Sequence, residues 1–383
     1  GQNSLKNYGV DITMIRNGNI SLQANGEVDF APVNPTIDVA FNFEEFKLDA
    51  LSPLGEDVFT DIRGHVYGNA QLTGLLENPT MTGELFLDEA GMYFPYINVD
   101  YDFEGTSVII LNDQSFNFED VTLKDTKHET LGSLTGTLSH NRFDTWSLDL
   151  NVDTDNLLVL DTEEEENSLY YGTGFMSGNA TIVGPTDKLQ IDVVGTTLKG
   201  THFVIPISDV KTVQSGQLVR FVGDVQQEEA AVDRQTFISD KLIGLTMNFD
   251  IEVTKSAIIE MVLDKATGSY LKGSGTGNLQ IGLDTKDRFD MFGDFIVDNG
   301  IYNFKYGGFI NNPFVVNKGG SISWSGDPLT ADIDIEAIYR VSANPKSLLE
   351  NITANRKIPI NLITRFSGEL FNSEREFDIE IPN

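Results

Sequence analysis

The chain is 383 residues long and carries 26 Lys and Arg against 58 Asp and Glu, a formal net charge of −32. Charge of that sign repels phosphates and excludes nucleic-acid binding. The lack of cysteine removes disulfides, thiolate metal sites and thiol nucleophiles together, while 25 Phe and 35 Gly in a 40% hydrophobic composition suit strands and turns better than helices or disorder.

In chain order, period-2 alternation predicts half-buried strands at Ile37–Phe43, Val99–Glu104, Trp146–Val152, Met247–Val253, Leu279–Asp284, Ala331–Ala337 and Phe377–Ile381. Clusters of Gly, Asn, Asp and Pro between them read as turns, Gly273–Gly277 among them. Asp161–Asn167 reads as a solvated acidic loop. Helix is nearly absent: the candidates are Ser347–Ala354 and Gln226–Asp233, the second equally a surface loop. No stretch approaches the roughly 18 apolar residues of a membrane-spanning helix, and Gly1 opens without a signal peptide, so either the chain is soluble or its anchor lies outside this sequence. The start at Gly1 and the abrupt end on the strand-like Ile381-Pro382-Asn383 read as a piece of a longer chain.

Gly68-Asn69-Ala70, Gly178-Asn179-Ala180 and Gly277-Asn278-Leu279 recur at intervals of roughly 100 residues. After the first and third, a glycine starts a strand that reaches a turn and an aromatic pair, Gly83 to Phe94 and Gly293 to Phe304; the middle copy, Gly195 to Phe203, is looser. The repeats run approximately over 64–170, 171–270 and 271–383. A strand set that cannot bury its apolar face alone must stack on its neighbours, so the expectation is one elongated repetitive β domain over 1–383. The fold class is all-β, an elongated curled sheet of repeated antiparallel strands forming an apolar groove.

Signals for chemistry are weak. His65, His128, His140 and His202 stand apart, and His128-Glu129 lacks the second His of a zinc helix. Gly174–Gly178 misplaces its Ser for a nucleophile elbow, and Gly273–Gly277 lacks the Lys-Ser/Thr of a phosphate cradle. The expectation is no catalytic residue, no metal, no cofactor and no enzyme. Asp332, Asp334 and Glu336 lie about 7 Å apart along one strand face, too far to share an ion, and read as a solvated face. Asp153–Asn156 and Asp284–Asp287, read as turns, are the better calcium candidates.

The informative constellation is the apolar face itself: Phe41, Phe43, Tyr101, Phe103, Trp146, Leu148, Met247, Phe249, Ile281, Ile333, Ile335, Phe377 and Ile379. Two sheets can bury such faces in a closed core. Alternatively, a long open face solvates acyl chains at about 0.8 kcal/mol per methylene, and then lipid is the ligand.

Gly68–Gly83 with the aromatic turn that follows, Gly293–Phe304, Gly326-Asp327-Pro328 leading into Ala331–Tyr339, and the closing Phe366–Leu370 and Phe377–Pro382 together resemble the TamB family, grouped with the AsmA-like and bridge-like lipid transfer proteins. The motifs cover about a third of the chain, and it is their order and spacing that make the match specific. The resemblance implies a long sheet curled into an apolar-lined groove in the periplasm of the cell envelope. It also implies passage of phospholipid between inner and outer membranes in support of outer-membrane protein assembly, a BamA-like (TamA-like) outer-membrane barrel partner, and an inner-membrane anchor outside this sequence. The family binds through a face, so no single binding residue carries over. The competing readings are a calcium-stabilised β-repeat adhesin or scaffold, and a glycan binder using Trp324 and Tyr339.

Overall fold

A computed structural model describes residues 6–50, 60–165, 170–206, 244–265, 267–285, 288–306, 310–344, 357–370 and 373–382. Among these the only elements are strands and short 3-10 turns, and the fold is all-β, a curled sheet of many antiparallel strands. Both helix candidates lie outside the described residues, as do Glu166 and Asn167 of the acidic run and Lys286 and Asp287 of the second calcium candidate. Chain contacts divide the protein into two compact units.

The first unit comprises Gly1–Asp161, Met176–Val194 and Ile238–Met247. It begins as a meander of β1 (Asn7–Arg16), β2 (Asn19–Asp29), β3 (Thr36–Lys47), β4 (Thr60–Leu75) and β5 (Asn78–Phe94), each antiparallel to the next. After it come β6 (Val99–Phe103), β7 (Ser107–Asp113), β8 (Ser115–Asp125), β9 (Leu131–Asn141) and β10 (Thr145–Thr162). The long β5 pairs with two short strands end to end: Met81–Leu87 with β7 and Gly91–Phe94 with β6. Strand β8 then collects both and hands on to β9 and β10.

Next in sequence are β11 (Tyr171–Pro185), β12 (Gln190–Thr197), β13 (His202–Pro206) and β14 (Thr246–Val253). The second unit comprises Thr162–Phe175, Gly195–Phe237 and Asn248–Asn383. In it β13 lies antiparallel to the start of β11 and parallel to β15 (Ile258–Asp264). Strands β16 (Ser269–Asp284), β17 (Phe289–Tyr306), β18 (Ile310–Val316), β19 (Ser321–Gly326), β20 (Asp332–Ala343), β21 (Ile358–Glu369) and β22 (Glu374–Glu380) follow. The arrangement around β5 recurs around β17. It pairs along its length with β16, through Met291–Ile296 with β19 and through Gly300–Tyr306 with β18, and β20 collects the two short strands. The first and third sequence repeats are thus one supersecondary unit occurring in each half.

The glycines of those repeats have a steric reason. Gly83 and Gly293 sit mid-strand at φ +147° and +118°, and a Cβ on them would lie 2.2 Å and 2.0 Å from the backbone oxygens of Asn69 and Asn278. The Gly-Asn motif is the opposing strand at this close approach, which only glycine permits. Gly273–Gly277, expected to form a turn, instead lies inside β16, where Cβ atoms on Gly273, Gly275 and Gly277 would meet backbone oxygens of β17. The Asp153–Asn156 segment is likewise no turn: it lies within β10, at a register shift against β9.

Strands of 16–18 residues are far beyond the usual length and cannot stay flat. Register shifts at Thr60/Arg63, Asp153/Asn156 and Ser274/Gly275 interrupt them and bend the sheet. The result is visible as contacts between strands that are not neighbours. Tyr101 of β6 donates its hydroxyl to the Leu158 carbonyl of β10 at 2.6 Å, although β8 and β9 separate them in the sheet. Tyr302 of β17 meets Phe366 of β21 edge to face at 4.9 Å across β18 and β20.

Candidate functional site

Register converts the separate alternations into continuous rows. In the first unit one row runs Ala24, Phe41, Ala70, Gly83, Leu111, Phe116, Leu138, Leu148, each residue directly opposite the next on adjacent strands. Beside it, Leu22, Phe43, Gly68, Leu85, Ile109, Phe118, Gly136 and Leu150 form a second row. Direct partners share a face, so β2–β5 and β7–β10 present their apolar sides to one interior. In the second unit Gly277, Phe295, Ile322, Ile333 and Gly368 align, as do Val316, Ala337, Thr364 and Phe377.

The expected lining residues fall into three environments on this face. Tyr101, Phe103, Met247, Ile333 and Ile335 are buried. Phe41, Phe43, Trp146, Leu148, Phe249 and Ile281 are half-buried, with Phe41 stacked on Phe43 at 6.5 Å. Phe377 and Ile379, on β22, are 66% and 52% exposed although their partners Thr364 and Leu362 belong to the interior face. The face also continues onto β1 as exposed Ile12 and Met14, opposite Ala24 and Leu22.

Sequence reading missed Leu85, Ile109 and Leu111. Ser107-Val108-Ile109-Ile110-Leu111 is apolar on both faces, so period-2 alternation gives no signal there. Phe116-Asn117-Phe118 did carry that signal.

In the second unit a gap of about 10 Å³ lies between Ile259, Met261, Leu271, Phe295, Val297 and Ile322, room for about one water. A hollow of about 350 Å³ is on the opposite face, lined by Glu252, Val253, Thr276, Asn278, Asp294 and Ile296; its two carboxylates do not suit an acyl chain.

The few polar groups inside are tied down. Asp125 is fully buried and accepts from the backbone N–H groups of Lys127, His128 and Thr130 at 3.1, 2.6 and 2.6 Å, and from the Thr130 hydroxyl. Thr130 Oγ1 in turn accepts from Leu158 N at 2.8 Å, so the β8–β9 turn, β10 and Tyr101 form one node across the curl. Burial opposes the Asp125 charge, but these donors outweigh it and hold the carboxyl below the usual range. Burial and the Asp125 charge push the Tyr101 phenol up. Arg63 of β4 reaches past Gly91 of β5, where a Cβ would sit 2.5 Å from its guanidinium, to pair with Asp100 (2.7 Å) and Asp102 on β6.

Of the calcium candidates, Asp153 binds the side-chain amide of Asn179 at 2.9 Å and that of Asn151. Among the described residues no group of three or more His, Asp or Glu is placed to hold a metal ion. Trp324, wanted exposed for a glycan, is 6% exposed. The histidines do not converge: His202 pairs with Glu260 at 2.9 Å beside Lys272, and His140 lies buried at the end of the interior face.

Residues 119–382 match the family model of the TamB C-terminal domain. The chain belongs to the TamB family. No curated protein matches it. TamB membership ties the chain to the cell envelope and to a family concerned with outer-membrane protein assembly and lipid transport, which associates with the outer-membrane assembly machinery. No helix among the described residues is long and apolar enough to cross a membrane.

Proposed function

We propose that this TamB segment is a non-enzymatic part of a periplasmic bridge along which phospholipid passes between inner and outer membranes, in support of outer-membrane protein assembly. The observation that carries this reading is the in-register apolar face, uninterrupted from β2 to β10 in the first unit. The half-buried members of the face are where acyl chains would lie, each methylene removed from water gaining about 0.8 kcal/mol. No group on the face needs to react with anything. In the full protein an inner-membrane anchor would fix one end and a BamA-like (TamA-like) barrel would receive the other.

The test is mass spectrometry of lipids that co-purify with the chain and with a Phe249→Asp/Ile281→Asp variant. Both side chains are only half-buried, so the carboxylates stay partly hydrated and the fold should survive, as circular dichroism would verify. Phospholipid on the parent and none on the folded variant is the expected outcome. Absence of lipid from both, or equal lipid on both, would overturn the reading.

A further inference from the structure

The interior face of the first unit ends, at the β9–β10 hairpin, in an aromatic group around a histidine. His140 lies directly opposite Trp146, one pair beyond Leu138 and Leu148. Its ring stacks on Phe143 at 3.9 Å and 21° and meets Trp146 at 5.1 Å and Phe116 at 6.0 Å. Nδ1 accepts the backbone N–H of Phe143 at 3.1 Å, which assigns the ring proton to Nε2. His140 is 7% exposed, and among the described residues Nε2 has no hydrogen-bond partner.

A buried N–H donor without an acceptor loses its hydration with nothing in return, and such groups call for an explanation. The hairpin adds a second departure from ease. Arg142 and Phe143 both adopt left-handed backbone, φ +55° and +59°, unusual for a bulky aromatic. That turn lays Phe143, 47% exposed, over the imidazole like a flap. Burial lowers the imidazole's proton affinity despite the nearby Asp113 charge, so at neutral pH the ring is uncharged and keeps its single N–H.

We propose that His140 is a lipid-positioning residue: with the Phe143 ring displaced, Nε2–H donates to an ester or phosphate oxygen of a lipid whose acyl chains lie along the apolar rows, stacked at their end by Trp146 and Phe116. This rests on the lipid reading above and specifies where the polar end of the lipid is held. Neutral N–H donation suits an oxygen acceptor, and the aromatic surround suits the junction of acyl chain and polar head.

The experiment measures binding of dioleoylphosphatidylethanolamine, diolein and hexadecane to the full chain, to His140→Phe and to His140→Gln. His140→Phe keeps the ring and removes the donor; His140→Gln keeps a side-chain N–H. The expected result is a fivefold to tenfold loss of phospholipid affinity in His140→Phe, about the worth of one neutral hydrogen bond, with hexadecane unchanged and His140→Gln at least partly restored. Parallel loss of diolein assigns the acceptor to an ester oxygen, and its retention assigns the acceptor to phosphate. Equal changes for all three ligands would reduce His140 to packing and overturn the proposal. If none of the three binds the parent chain, the lipid reading itself fails and takes this inference with it. Should His140→Phe not fold, photocrosslinking of the parent by a headgroup-labelled phospholipid replaces it, and labelling away from 140–146 overturns the proposal.

Discussion

Replacing Asp125 by Asn tests whether the curl of the first unit is held by its buried polar node. Both carboxylate oxygens are in use, one for Lys127 and His128, the other for Thr130. An amide has one oxygen, so whichever way it is placed, at least one backbone N–H faces an NH₂ group. Each lost charge-assisted bond is worth about 1.5–3 kcal/mol. With the Thr130 contacts the more exposed to loss, the expected destabilisation is about 3–5 kcal/mol, a large part of a typical domain's stability. The assay is urea unfolding followed by circular dichroism, with hydrogen exchange on the β8–β9 hairpin.

The pH dependence has a definite sign. The folded carboxyl titrates below its unfolded value near 3.9, so its contribution is fully present above about pH 4 and is lost as pH falls through the folded value. The gap between parent and variant should therefore be constant from pH 7 to about 5 and narrow below 4. A variant within about 1 kcal/mol of the parent at pH 7, or a gap that widens in acid, would refute the reasoning.

Two further outcomes follow from the same geometry. Gly293→Ala should cost about 2–4 kcal/mol in urea unfolding, combining left-handed strain with a Cβ 2.0 Å from Asn278 O. Gly319→Ala, at φ +96° but with open space around it, should cost only the strain, about 1–2 kcal/mol; equal costs would deny the close approach. Chelation by EDTA should leave the melting temperature unchanged, since no metal-holding cluster exists among the described residues; a drop of several degrees would favour the calcium-stabilised scaffold.

By itself the sequence determined the strand character, the face each alternating residue takes and the recurrence of the unit, because side-chain parity and the Gly-Asn motif are local properties. Phe41, Phe43, Leu148 and Ile333 could be placed on an apolar face from their neighbours alone. Glycine was misleading, since a Gly-rich run signals a turn and, as at Gly273–Gly277, also a strand approached closely by another backbone. What tertiary structure alone decided was which strands pair and which apolar residues are covered. Tyr101 and Trp146 look alike in sequence, yet one is buried beneath β10 and the other stays half-exposed beside His140. Register, bulges and curl set that difference, and they arise from contacts between residues tens of positions apart, which no local pattern encodes.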